Sequence, residues 1–141
     1  MSTAEKTKIT IEAEIAAPIT KVWEYWLEPE HIIKWNFASD DWHCPKAEAD
    51  IKVGGKFSAT MAAKDGSMSF DFEGIYTTLE RHKKIAYEIA DGRTVEIIFE
   101  EKGDKVHVSE TFEAETTNSI EMQRGGWQTI LDNFKAYVES N

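Results

Sequence analysis

Cysteine is nearly absent from this 141-residue chain: Cys44 stands alone. A single thiol allows no internal disulfide and fits a reducing, cytoplasmic setting. Basic residues are scarce beside acidic ones, 16 Lys and Arg against 26 Asp and Glu, which leaves a net charge of −10. The lysines are dispersed, so no basic patch is available to displace counterions from a phosphate backbone. Neither nucleic acid nor an anionic membrane is expected as a partner. The acidic excess reads instead as a solvated surface that keeps the chain in solution. No apolar run approaches the roughly 18 residues of a membrane span, and no secretory signal pattern opens the chain. Repeats, low-complexity stretches and internal linkers are missing as well, so residues 1–141 read as one domain. A chain of this size buries roughly 68–70% of its unfolded surface around one core.

What is present is hydrophobic periodicity. In "KITIEAEIAAP", Ile9, Ile11, Ala13 and Ile15 alternate with Lys8, Thr10, Glu12 and Glu14, the period of a half-buried strand. Pro18 suits the first turn of a helix whose apolar face is Val22, Trp23, Trp26 and Leu27, and Pro29 interrupts it before a second short helix, "PEHIIKW". From Pro45 to Ala114 the chain reads as strands separated by turns. The first carries Ala47, Ala49, Ile51 and Val53 on one face; Phe57, Ala59 and Met61 follow, then Phe70 and Phe72, then Ile85, Tyr87 and Ile89. Val95, Ile97 and Phe99 come next, and Val106, Val108, Glu110 and Phe112 close the series. Gly74 marks a bulge or bend, which leaves the facing of Ile75 and Tyr76 open.

The last segment, "NSIEMQRGGWQTILDNFKAYVESN", is one helix. Asn118 is its expected N-cap with Glu121 completing a capping box, and Trp127, Ile130, Leu131, Phe134 and Val138 form an apolar stripe. At roughly 20 residues, or about 30 Å, it is the only element able to cover the apolar face of an antiparallel sheet. The expected fold is α+β, a helix-grip: a curved antiparallel sheet of about seven strands, in the order β-α-α-β6-α, wrapped around a long C-terminal helix. Gly125 and Gly126 stand inside that helix at a cost of roughly 0.8–1.0 kcal/mol each against alanine. Two readings of the pair stand: close approach of the helix backbone to its neighbours, or the lining of a space beneath the helix.

The strings "APITKVWEYWLEPEHIIKW", "ADIKVGGKF", "FEGIY" and "GGWQTILDNFKAYV" resemble the START-like superfamily, which includes the birch-pollen allergen and polyketide cyclases. Within it, the chain is most similar to bacterial single-domain homologues of the heat-shock-protein-90 ATPase activator, from about Lys8 to Glu139. The resemblance implies a hydrophobic cavity between sheet and terminal helix. Carried over residue by residue, its lining falls on Trp35, Phe57, Met61, Phe72, Trp127, Ile130 and Phe134. Tyr25, Trp26 and Leu27 depart from the family's pattern, and their bulk is expected to narrow the cavity mouth.

Three further residues join the candidate ligand-binding set: Trp42, Tyr87 and Glu110. Trp42 lies in "SDDWHCPK", which reads as a loop near the cavity mouth with Trp42 as its apolar anchor. Asp40, Asp41, His43 and Cys44 there match no zinc spacing, and adjacent strand residues point to opposite faces, which disfavours a Cys-His nucleophilic pair. His31, His82 and His107 read as surface residues without a sequence-local partner. Glu110 shares the face of Val106, Val108 and Phe112 if the alternation holds, which would put a carboxyl inside an apolar space with a raised pKa, able to donate a hydrogen bond. If the strand end curves outward instead, it meets solvent or an arginine.

The residues, together with what the resemblance implies, point to a cytoplasmic binding module that holds a small hydrophobic ligand, with no metal and no cofactor expected. One alternative, implied by the resemblance, is a co-chaperone-like regulator of a heat-shock chaperone; it is the weaker because the eukaryotic activator carries a further N-terminal domain. The other is an enzyme of the cyclase or hydrolase type using Glu110.

Overall fold

The computed structural model describes residues 7–90 and 92–141. β1 (Lys8–Ile15) leads into α1 (Ile19–Leu27) and α2 (Pro29–Trp35). Six strands follow: β2 (Trp42–Ala49), β3 (Lys56–Ala63), β4 (Ser69–Glu80), β5 (Lys84–Ile89), β6 (Thr94–Lys102) and β7 (Lys105–Glu113). The chain ends in α3 (Ile120–Ser140), 21 residues long. All seven strands form one antiparallel sheet in the order β1-β7-β6-β5-β4-β3-β2. This is the helix-grip architecture, a curled half-barrel with α3 across its concave face.

Period-two patterning builds the sheet. Ile9, Ile11 and Ile15 are buried while Lys8, Thr10, Glu12 and Glu14 are exposed. The same alternation buries Val95, Ile97 and Phe99 on β6 and Val106, Val108, Glu110 and Phe112 on β7. Against these lie Leu131, Phe134 and Val138 of α3, each with no solvent exposure. A fully buried side chain of this kind contributes about 1.5–3 kcal/mol. Phe134 is held edge-on between Trp26 of α1 and Trp35 of α2, at centroid distances of 4.7 and 4.8 Å. The short helices thus reach the core through α3.

The free edge of β1 is met by polar side chains of α3. Gln128 Nε2 donates to the Glu12 carbonyl at 3.2 Å and Lys135 Nζ to the Glu14 carbonyl at 2.7 Å. Just beyond the strand, the Ala16 amide donates to Glu139 at 2.8 Å. At the opposite edge, β2 packs against α2.

Several boundaries differ from the sequence-based expectation. The α3 cap is Ser119 rather than Asn118: Ser119 Oγ accepts from the Met122 amide at 3.1 Å. Asn118 is drawn back instead by Glu115, which accepts from its amide and from its side chain. β2 begins at Trp42, so Trp42–Cys44 is strand rather than loop, and Pro45 falls in a register shift between His43 and Lys46. Ile51 and Val53 are exposed because β2 stops at Ala49 and a tight turn follows, the Lys52 amide donating to the Asp50 carbonyl. The register of β4 slips between Tyr76 and Thr78, beyond Gly74, and Tyr76 faces inward while Ile75 faces out. Gly74 has a separate reason to be glycine: a Cβ there would stand 2.7 Å from the Phe57 ring.

Candidate functional site

A cavity of about 370 Å³ lies between the concave face of the sheet and α3. Its floor comes from inward positions of β3, β4, β5 and β7, its roof from the first half of α3, and one wall from α1 and α2. Eight of the ten candidate residues line it: Trp35, Phe57, Met61, Phe72, Tyr87, Glu110, Trp127 and Ile130. Phe134 does not, because it fills the core between the two tryptophans. Trp42 does not either; half-buried on β2, it packs against Phe70 at 6.0 Å, and Phe70 is the lining residue. Sequence reasoning missed Trp26, Phe70, Tyr76, Arg93 and Gln123 as lining. Tyr76 was hidden by the doubt about alternation past Gly74. Of the three bulky α1 residues expected to narrow the cavity mouth, Trp26 lines the cavity, whereas Tyr25 and Leu27 do not.

Trp127 sits between helix and sheet. Its ring stacks on Phe112 at 3.9 Å with the planes 9° apart, and it meets Phe72 edge-on at 6.1 Å. The glycines before it do not serve close approach, contrary to one of the two expectations: a Cβ added at Gly125 or Gly126 meets nothing within 4 Å. Gly126 lines the cavity, so its missing side chain leaves room there. Gly125 is exposed. The helix start is anchored by Gln123, whose amide nitrogen donates to the Glu115 and Asn118 carbonyls while its oxygen accepts from the Glu115 amide.

Glu110 is the chemically distinctive residue. It is only 5% exposed, borders the cavity, and lies across from Ile97 of β6 and Ile11 of β1. Among the described residues it has no hydrogen-bond partner. Burial pushes its carboxyl up to about 8, because desolvation disfavours the charged form. The inward alternative is therefore the one realised. Tyr87 stands near it, its hydroxyl driven well above the ordinary range by burial first, then by Glu110 and by Tyr76. Burial, with the charge of Glu28 added, also raises Tyr76. At neutral pH the cavity thus carries a protonated carboxyl and two un-ionised phenols among aromatic rings. Arg93 lines another part of the same space, and its Nη1 donates to the Glu113 carbonyl at 3.3 Å.

Outside the cavity, Cys44, His31, His82 and His107 are engaged with the fold itself. Cys44 is buried, and its thiol is pushed up by desolvation, the opposite of what an activated nucleophile needs. Among the described residues no three His, Cys, Asp or Glu side chains converge on a metal-sized site. His31, His82 and His107 each have a partner brought in from a distant part of the sequence. His31 stacks on Tyr25 at 3.8 Å and bonds the Tyr137 hydroxyl at 2.8 Å. His107 bonds Glu12 at 2.8 Å, and His82 meets the edge of Trp23.

With this geometry in view, residues 16–139 match the family model for Activator of Hsp90 ATPase homolog 1-like protein. The chain belongs to that family. It is similar to the solution structure of the AHSA1-like protein of Aeromonas hydrophila, at 46% identity and a TM-score of 0.90, covering 95% of this chain and 93% of that one. It is also similar to Chr148 of Cytophaga hutchinsonii, at 53% identity and a TM-score of 0.82, with the same coverage of 95% and 93%. The crystal structure of NE0264 from Nitrosomonas europaea, at 18% identity and a TM-score of 0.82 over 94% of each chain, shares the fold. No curated protein matches. Among the described residues of this AHSA1-like chain, no helix is long and apolar enough to cross a membrane.

Proposed function

We propose that this AHSA1-like chain is a binding module that holds one small hydrophobic molecule beneath α3. One observation carries this reading: the cavity of about 370 Å³ is walled mainly by aromatic and aliphatic side chains, with eight polar or charged ones, Glu110 among them, in the minority. That volume and composition match small-molecule sites, which run from about 300 to 1,000 Å³ and fix orientation through a handful of polar contacts. An empty apolar space of this size would instead cost stability, since side chains facing a void forgo their packing contacts. Native mass spectrometry of gently purified protein tests the reading. A bound small molecule that leaves on denaturation is the expected result. Bare polypeptide, together with no uptake of a neutral dye such as Nile red, would overturn it.

Membership of the family favours a second reading, in which a heat-shock chaperone is the partner. Co-precipitation with purified chaperone and a change in its ATPase rate are the expected results under that reading. Neither outcome depends on the cavity, so the two readings separate cleanly.

A further inference from the structure

We infer that the cavity selects an uncharged, flat aromatic molecule carrying a carbonyl oxygen, which accepts a hydrogen bond from Glu110, and that it rejects carboxylates of the same shape. The inference rests on the binding-module reading above and adds the chemistry of the ligand.

Two observations converge on it. The walls are rings: Trp35, Phe57, Phe72, Tyr87 and Trp127 reach the space from α2, β3, β4, β5 and α3. Phe57 and Phe72 both meet Tyr87 edge-on, at 4.7 and 6.3 Å, and Trp127 meets Phe72 the same way at 6.1 Å. Such walls present ring faces and edges to a planar occupant, the arrangement in which aromatic groups attract one another. The second observation is Glu110, more than nine-tenths buried, bordering the space and without a partner among the described residues. A buried polar group left unbonded costs free energy, so a ligand that satisfies it gains more than the same bond gives in water.

The charge state decides which ligand group fits. Tyr87 from β5 is the titratable group that feels Glu110, and Tyr76 from β4 stands behind it with ring centroids 6.4 Å apart; both are un-ionised, while Ile97 and Ile11 flank Glu110 on β6 and β1. Arg93, Glu48 and Glu115 line the same cavity, and α3 contributes Met122, Gln123, Gly126, Trp127 and Ile130, none of them charged. With its proton held up to about pH 8, Glu110 is a donor to a neutral oxygen. A carboxylate ligand would have to shed its own hydration in a space lined by three carboxyl-bearing side chains and one arginine.

Three probes that share the naphthyl ring, two of them alike in shape and differing in charge, test this by equilibrium dialysis: naphthalene, methyl naphthyl ketone and naphthoate. The ketone should bind about tenfold tighter than naphthalene, the scale of one net hydrogen bond, and naphthoate more weakly than either. The ketone's advantage over naphthalene should fade as pH rises through about 8, where Glu110 loses the proton it donates. Glu110→Gln, whose amide still donates, should keep the advantage and make it independent of pH; Glu110→Leu should abolish it. Equal binding of ketone and naphthalene would overturn the inference and leave the binding module standing. So would a preference for naphthoate, which would give the anchoring role to Arg93. Failure of all three probes to bind would overturn the module and this inference together. Should either variant misfold, the pH series on the parent protein still decides.

Discussion

Glu110 gives the protein a pH signature of its own. In the unfolded chain its carboxyl titrates near 4.5 and in the fold at about 8, so between those limits the folded state holds the proton more tightly. Stability from this group is therefore fully present below the unfolded value, falls as pH rises through the window, and levels off above the folded one. Glu110→Gln has nearly the same shape and no charge to bury. Relative to the parent it should gain on the order of 3 kcal/mol between about pH 5 and about pH 8, measured in denaturant melts. A constant difference across that range would place the carboxyl in water. Trp127→Ala should cost about 3 kcal/mol, the low end for a large aromatic, since the ring keeps its Phe112 stack on one side and borders the cavity on another. A loss under about 1 kcal/mol in the same melts would mean the ring is held by nothing. Both residues were legible in the sequence because each sits inside an unbroken repeat, Glu110 at period two and Trp127 at helical spacing. Tyr76 was not, since a register slip after a glycine erases the parity on which inward and outward are counted. Trp42 misled because the start of its strand reads like a loop at the cavity mouth. Phe134 misled because an aromatic at helical spacing declares itself buried, while only its neighbours decide whether it meets other side chains or a space.

At the scale of elements, the order of strands and helices could be read almost whole, because proline, glycine and the change of period from two to three-and-four punctuate it strongly. Boundaries were less legible where side chains compete for one backbone group. Asn118 and Ser119 are both good caps, and Glu115 settles the matter by bonding the asparagine. The glycine pair was a question the sequence could pose and not answer, as helix propensity, close packing and free volume all bear on glycine in different ways. Open space around both positions separates them. Gly125→Ala should stabilise the protein by about 1 kcal/mol, as an exposed helical position without a steric demand. Gly126→Leu should leave stability at or above the parent's while weakening methyl naphthyl ketone binding, because its side chain enters the cavity from the roof. A Gly126→Leu protein that melts well below the parent would restore close contact as the reason for the pair. So would a Gly125→Ala protein less stable than the parent.

For the molecule as a whole, the sheet is a half-barrel that never closes on itself, since β1 and β2 are its two ends and pair with no further strand among the described residues. That it must curl and be covered was legible from one apolar face and one long amphipathic helix. How its rims are finished was not, because those bonds join residues more than a hundred positions apart. An unpaired strand rim is a ready template for strands of other molecules. Here the later half of the β1 rim is occupied: the Glu12 carbonyl is taken by Gln128, the Glu14 carbonyl by Lys135, and the Ala16 amide beyond the strand by Glu139. The helix that roofs the cavity therefore also guards against aggregation. Replacing both Lys135 and Glu139 by alanine removes two side chains at the surface and no core contact, so the fold should persist at room temperature. On gentle warming, however, light scattering should rise before the helical circular dichroism signal is lost, and thioflavin fluorescence should accompany it. A double variant that stays clear until it melts would show that the rim left open at Glu14 and Ala16 is harmless. Otherwise, the polar face of a ligand-covering helix is also what keeps neighbouring copies of this chain from adding their strands to its sheet.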